Sequence, residues 1–224
     1  PWLFCMLNNF GGRLGLHGHL DNLANNIPKV FNETKYIAGI GITPEASVNN
    51  PVLYDFLFET IWQDDASQKM EVIDLDTWLD DYATRRYGAE SESANQAWDI
   101  LKETVYKASL NGLGQGAPES VVNARPNLTI GAASTWGNAV ISYEKGDLEE
   151  AAALLLADYD KLKDSAGYQY DLANVLQQVL SNSAQEYQKG MSAAFSAKDL
   201  DSFKTYSEKF MSVIEDMEKV TGTS

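Results

Sequence analysis

Glu45 closes the stretch "YIAGIGITPEA" (residues 36–46), an apolar, β-like run that stops at Thr43-Pro44 and has no basic neighbour in sequence to pair the carboxylate. A glutamate fixed at the end of a strand can act as a nucleophile or as an acid/base. Pro44 disfavours the helical region for Thr43 and keeps the backbone extended up to that point. In an α/β barrel, the C-terminal strand ends form the mouth of the active site. On pattern alone, a glutamate solvated in its loop or capping the next helix is the more ordinary reading, because one carboxylate is a weak signal. The loop "LNNFGG" (residues 7–12) follows the preceding strand and would face the same mouth in a parallel barrel. There Asn9 can hydrogen-bond ligand hydroxyls and Phe10 can pack on a ring face, while Gly11 and Gly12 permit close backbone approach. A turn with an anchoring Phe explains the same residues equally well. Leu7 and Thr43, at the two strand ends, complete the binding candidates.

Other reactive residues carry less. His17 and His19 are two apart, on one side if the chain is extended, but no further ligands stand at metal-site spacing, so no metal is expected. Cys5, the only cysteine, lies in the apolar run "WLFCML" and reads as a buried small hydrophobe or pocket liner. There is no nucleophile elbow, P-loop or strand-following G-x-G-x-x-G, and no cofactor is expected. "RRYG" (residues 85–88) ends a helix with two cations and a glycine, a structural pattern in which one Arg could still reach the α/β part. Trp78, Trp98 and Tyr106 sit on helical faces as core; Trp136, in a long loop, is less settled. The sequons at Asn32 and Asn127 matter only in a glycosylating pathway.

The elements that must position these groups change character along the chain. Residues 1–60 alternate strand, loop, helix, strand, loop, helix, with the first helix short (19 to about 27) and the second starting at Pro51. Near-continuous apolar strands in consecutive βα units predict a parallel sheet. From about residue 74 the pattern is helical: "LDTWLDDYATRRYG" and "SANQAWDILKETVYKA", then a helix over 147–163 opened by Asp147 and Glu150 as a capping box. A long helix over 168–197 follows, then a last one capped by Asp199, with Leu200, Phe203, Phe210, Val213, Ile214 and Met217 inward. The Gly-, Pro- and Asn-rich stretch 111–138 is long for a loop in a compact domain, so it is functional or disordered. The expected architecture is α/β plus all-α, with domains at 1–70 and 71–224.

Net charge is −15, from 32 acidic and 17 basic side chains. That field repels phosphate backbones and anionic lipid, so nucleic acid and membrane surfaces are poor partners. No apolar run approaches the ~20 residues of a membrane span. The chain opens inside an apolar run at Pro1 and reads as a piece of a longer polypeptide.

Taken together, "LNNFGGRLGLHG", "GIGITPEA…NPVLYDFLFETIW", "WLDDYATRRYG…AWDILKETVY", "RPNL" (125–128) and "YQYDLANVLQQ" (168–178) resemble, in order, the alpha-N-acetylglucosaminidases of glycoside hydrolase family 89. The resemblance implies the last βα units of a (β/α)8-type barrel followed by an α-helical bundle domain. It implies a retaining exo-glycosidase acting on glycans with terminal α-linked N-acetylglucosamine, with Glu45 matching the nucleophile. It further implies a general acid on an earlier barrel strand, outside this chain, so that the chain depends on the remainder of its polypeptide and is inactive alone. The implied location is extracellular or cell-surface in a bacterium and lysosomal in an animal. A non-catalytic helical scaffold and a sugar-binding module are the competing expectations.

Overall fold

The computed structural model describes residues 1–11, 13, 15–45, 50–62, 69–107, 116–134 and 137–222. Two strands, β1 (Trp2–Met6) and β2 (Ile37–Ile42), pair in parallel, with Phe4 opposite Ile40 and Met6 opposite Ile42. Phe4, Met6, Ile40 and Ile42 turn one face of this sheet onto the core. Leu3, Cys5 and Leu7 fall on the other face and are exposed. Cys5 is therefore not a buried hydrophobe. The run is apolar throughout, but the pleat sends every second side chain away from the packed helices.

Helix α1 (Leu20–Glu33) connects the strands, and α2 (Pro51–Ile61) follows β2. α1 continues past the expected end near residue 27, through Pro28. Its apolar face runs on through buried Ile27 and Pro28 to Phe31, and that packing offsets the backbone hydrogen bond Pro28 cannot make. The segment carrying His17 and His19 is not a strand; the rings meet edge-on at 5.0 Å, and His19 precedes α1.

Beyond the βα units come α3 (Leu75–Tyr87), α4 (Glu92–Glu103), α5 (Lys145–Ala157), the short α6 (Tyr159–Leu162), α7 (Ala166–Ala197) and α8 (Leu200–Gly222), with a 3-10 turn at Val121–Asn123. Gly88 ends α3 in the left-handed conformation, and Ser91 caps α4 by accepting the Ala94 N–H. The helix expected over 147–163 divides at Asp158, whose carboxylate accepts from the Ser91 hydroxyl at 2.7 Å. It starts at Lys145 with no side-chain cap, so Asp147 does not form the expected capping box. Asp199 does cap α8 through the Ser202 N–H at 3.1 Å, but Leu200 is exposed rather than inward. Phe203, Phe210, Val213, Ile214 and Met217 are buried or half-buried. α7 and α8 form a long antiparallel hairpin turned by Lys198 at φ 57°.

One core joins the two parts: Leu20, Leu23 and Ile27 of α1 and Leu53, Phe56 and Leu57 of α2 lie in the same cluster as Trp78, Leu79, Trp98, Leu148, Leu155 and Tyr168. Trp78, Trp98 and Tyr106 are core aromatics, stacked or edge-on with one another through Tyr82. Trp136 lies outside the described residues.

Candidate active site

Both strands end at the same rim. The Thr43 N–H and hydroxyl both reach the Met6 carbonyl, at 3.0 and 3.3 Å, so β2 leaves the sheet level with β1. Two residues on, Glu45 is exposed, and its Oε2 accepts the Gly11 N–H at 2.8 Å. The loop after β1 and the loop after β2 are thus joined through the carboxylate itself. They open on a cavity of about 800 Å³, lined by Phe10, Gly11, Arg13 and Glu45 on one side. Residues of 118–141 and the face of α7 bearing Asn174, Gln178, Ser181 and Asn182 line the other.

The loop after β1 is held from several directions. The Arg13 N–H closes a turn onto the Phe10 carbonyl at 3.1 Å, and the Arg13 guanidinium lies 5.6 Å from the centre of the Phe10 ring. Asn9 is buried; its Oδ1 accepts the Ala117 N–H at 2.6 Å, while its Nδ2 has no partner among the described residues. Gly116 makes that approach possible. It sits at φ 83°, and a Cβ there would lie 2.7 Å from Asn9 Oδ1. Further along, Asn50 at the start of α2 accepts the His17 N–H and the Tyr106 hydroxyl and donates to the Gly15 carbonyl. Gln178 on α7 accepts the Leu16 N–H at 3.0 Å and donates to Asn182, which donates to the Tyr143 hydroxyl. His17 is held neutral near physiological pH: burial, then the neighbouring His19 and Arg13, lower its pKa to about 4.

A second carboxylate lines the cavity. Glu119 accepts the Ala133 N–H at 2.7 Å, the Ser134 N–H at 3.1 Å and the Ser134 hydroxyl, and pairs with Arg13 at 3.5 Å. Burial by itself would raise this carboxyl; the Ser134 and Ala133 donors and Arg13 outweigh burial and hold it below the usual carboxylate range. Glu119 is therefore a caged anion, unsuited to delivering a proton.

Of the residues singled out from sequence, Glu45 and Phe10 line the cavity, and Asn9 is buried behind it. Leu7 and Thr43 are exposed at the strand ends and do not line it. Arg13, Glu119 and Gln178 escaped the sequence reading. The composition of 111–138 marked that stretch as functional or disordered, but nothing local pairs Glu119 with a residue more than a hundred positions earlier.

The RRYG pattern read as structural is so, through a partner the sequence did not indicate. Arg86 donates to both oxygens of Asp171 on α7, at 2.6 and 2.9 Å, rather than reaching the α/β part. Among the described residues no cluster of His, Cys, Asp or Glu is arranged to hold a metal ion, and no helix is long and apolar enough to cross a membrane.

Parallel βα units with a carboxylate at their strand ends, packed on a helical domain that lines the same cavity, define a barrel portion joined to an all-α domain. Residues 1–64 match the family model of the alpha-N-acetylglucosaminidase (NAGLU) tim-barrel domain, and residues 78–224 match that of the NAGLU C-terminal domain. The chain belongs to the alpha-N-acetylglucosaminidase family, glycoside hydrolase family 89. It is 32% identical to human alpha-N-acetylglucosaminidase over 204 residues, covering 90% of this chain and 26% of the human protein. The family 89 glycoside hydrolase from Clostridium perfringens, solved with PUGNAc, superposes with a TM-score of 0.92 at 41% identity, over 98% of this chain and 24% of that one. A form of the Clostridium perfringens enzyme with two Glu-to-Gln substitutions, in complex with its substrate GlcNAc-alpha-1,4-galactose, superposes with a TM-score of 0.90 at 41% identity and the same coverage. The chain thus spans about a quarter of the length of these relatives.

Proposed function

We propose that this chain is the nucleophile-bearing portion of a retaining exo-glycosidase that releases terminal α-linked N-acetylglucosamine from glycans. The observation that carries the reading is the position of Glu45: at the end of β2, tethered by the Gly11 N–H, on a cavity shared with the helical domain. The names of the relatives support the sugar, and the paired Glu-to-Gln substitutions in the substrate complex support a reaction run by two glutamates.

In the first step the Glu45 carboxylate attacks the anomeric carbon as the glycosidic C–O bond breaks, and the departing oxygen takes a proton from the general acid. In the second, water attacks the glycosyl ester, gives its proton to that same group and frees Glu45. Retention requires the two carboxyl groups about 5–5.5 Å apart. The family resemblance implies a general acid on an earlier barrel strand, outside this chain; Glu119, ringed by the Ala133 and Ser134 donors and Arg13, is not offered that role. The Gly11 N–H orients the nucleophile through Oε2, leaving Glu45 Oε1 without a hydrogen bond among the described residues. Phe10 offers a ring to a sugar face; Asn9, buried behind the cavity, holds the loop through the Ala117 N–H rather than touching the sugar, and Leu7 and Thr43 stand at the strand ends outside the lining. The protein acts outside the cell or on its surface in a bacterium, and in the lysosome in an animal.

The test is covalent trapping in the full-length protein. A fluorinated α-N-acetylglucosaminyl inhibitor should label the peptide containing Glu45, and Glu45→Gln should lower kcat by about 10⁴-fold. Labelling at another carboxylate, or an active Glu45→Gln variant, rejects the assignment.

A further inference from the structure

Glu119 comes from the helical part of the chain, yet its contacts converge on the loop that holds Glu45. The path is short and each link is direct. The Glu119 carboxylate meets Arg13 at 3.5 Å; Arg13 bonds the Phe10 carbonyl through its N–H and lies over the Phe10 ring; the next residue, Gly11, donates to Glu45 at 2.8 Å. The side chains of Arg13 and Glu119 are 8% and 5% exposed, so the pair is screened from water and its geometry is tightly specified. Glu119 is itself fixed by the Ala133 and Ser134 donors and, through its own N–H, by the Asn138 carbonyl at 2.8 Å. Gly137 packs against it so closely that a Cβ there would lie 2.3 Å from the carboxyl carbon. A simple interdomain tie would need no such cage. The Asn9–Ala117 bond already makes that tie.

We propose that Glu119 is a positioning residue for Glu45, setting through Arg13 and Phe10 the place of the Gly11 N–H that orients the nucleophile. The inference rests on Glu45 being the nucleophile. The helical domain then does more than wall the cavity: it aims the attacking carboxylate. A displacement of the Gly11 N–H of about 1 Å is enough to cost on the order of 10²-fold in rate, whereas the sugar product, which meets the Phe10 ring of the same loop, loses a smaller factor in affinity.

The experiment compares, in the full-length protein, two quantities for wild type, Glu119→Gln, Glu119→Asp and Ser134→Ala. These are the rate constant for labelling of Glu45 by the fluorinated inhibitor and the Kd for free N-acetylglucosamine. Glu119→Gln should slow labelling by about 10- to 100-fold with Kd raised by a clearly smaller factor, since Phe10 also faces the sugar, and Glu119→Asp should restore part of the rate. Ser134→Ala removes one donor to Glu119, leaves the ion pair in place, and should slow labelling by a few-fold. It decides the matter if Glu119→Gln does not fold. Labelling within about twofold of wild type in the folded variants overturns the inference, as does a parallel loss of labelling and of N-acetylglucosamine affinity. Wild-type protein that labels elsewhere, or not at all, overturns the nucleophile assignment and this inference with it. Wild-type labelling at Glu45 with unaffected variants overturns this inference alone.

Discussion

His17 shows how one side chain records its surroundings. Burial beside His19 and Arg13 lowers its pKa from 6.5 to about 4, so between those values the unfolded chain binds a proton that the folded chain refuses. Stability therefore rises with pH across that window and is lost as pH falls from about 6.5 toward 4. His17→Gln, which leaves the backbone bonds to Asn50 and Asn8 in place, should flatten the dependence of Tm on pH there. An unchanged slope in the variant would refute the argument. Glu119 and Glu45 illustrate a contrast at the same scale. One carboxylate is surrounded by donors and an arginine; the other, among the described residues, keeps a single backbone donor at the mouth of the cavity. The chemistry proposed for each follows from that difference rather than from residue type.

Among the elements, the contact between α3 and α7 is held by charge inside an aromatic setting. Asp171 accepts both Arg86 bonds and the Tyr87 hydroxyl at 3.1 Å, and Tyr87 in turn accepts the Trp98 N–H at 3.0 Å. The Arg86 guanidinium also faces the rings of Tyr82 and Tyr170. Burial pushes the Asp171 carboxyl up, and Arg86 and Tyr87 counter it. Asp171→Ala would leave Arg86 with its charge unmatched in a largely dry site and should destabilise by about 3–5 kcal/mol. Urea unfolding with an unchanged m-value measures this; a loss below about 1 kcal/mol would mean water or another acceptor takes over the arginine. This pair supports the scaffold under α7, the helix whose next turns present Gln178 and Asn182 to the cavity.

For the whole molecule, the α/β part and the helical part share one core, and the cavity needs both: Glu45 and Phe10 from the first, residues 118–141 and α7 from the second. The part of the barrel proposed to carry the general acid lies outside these 224 residues. The isolated chain is accordingly expected to turn over an aryl α-N-acetylglucosaminide far more slowly than the full-length protein, because protonation of the leaving oxygen is worth about 10²–10⁴-fold. Side-by-side assays at equal concentration check this, and comparable rates would place a proton donor within these residues.

Local pattern was enough to find the strands, most of the helices and the αL stop at Gly88, because period, caps and glycine act over a few residues. It also singled out Glu45, since proline and an apolar run mark a strand end wherever they occur. It misjudged Cys5, Leu200 and the helix spanning Asp158, because exposure and helix breaks depend on what packs alongside: the open face of the sheet, the turn into α8, and Ser91 reaching for Asp158. Arg13 with Glu119, Gln178 with Leu16, and Arg86 with Asp171 were invisible for the same reason. By itself the sequence determined that a carboxylate stands at the end of a parallel strand ahead of a helical domain. Only the tertiary structure decided that this domain reaches back to hold the loop beside it, because such contacts join residues whose chain separation carries no periodic or compositional trace.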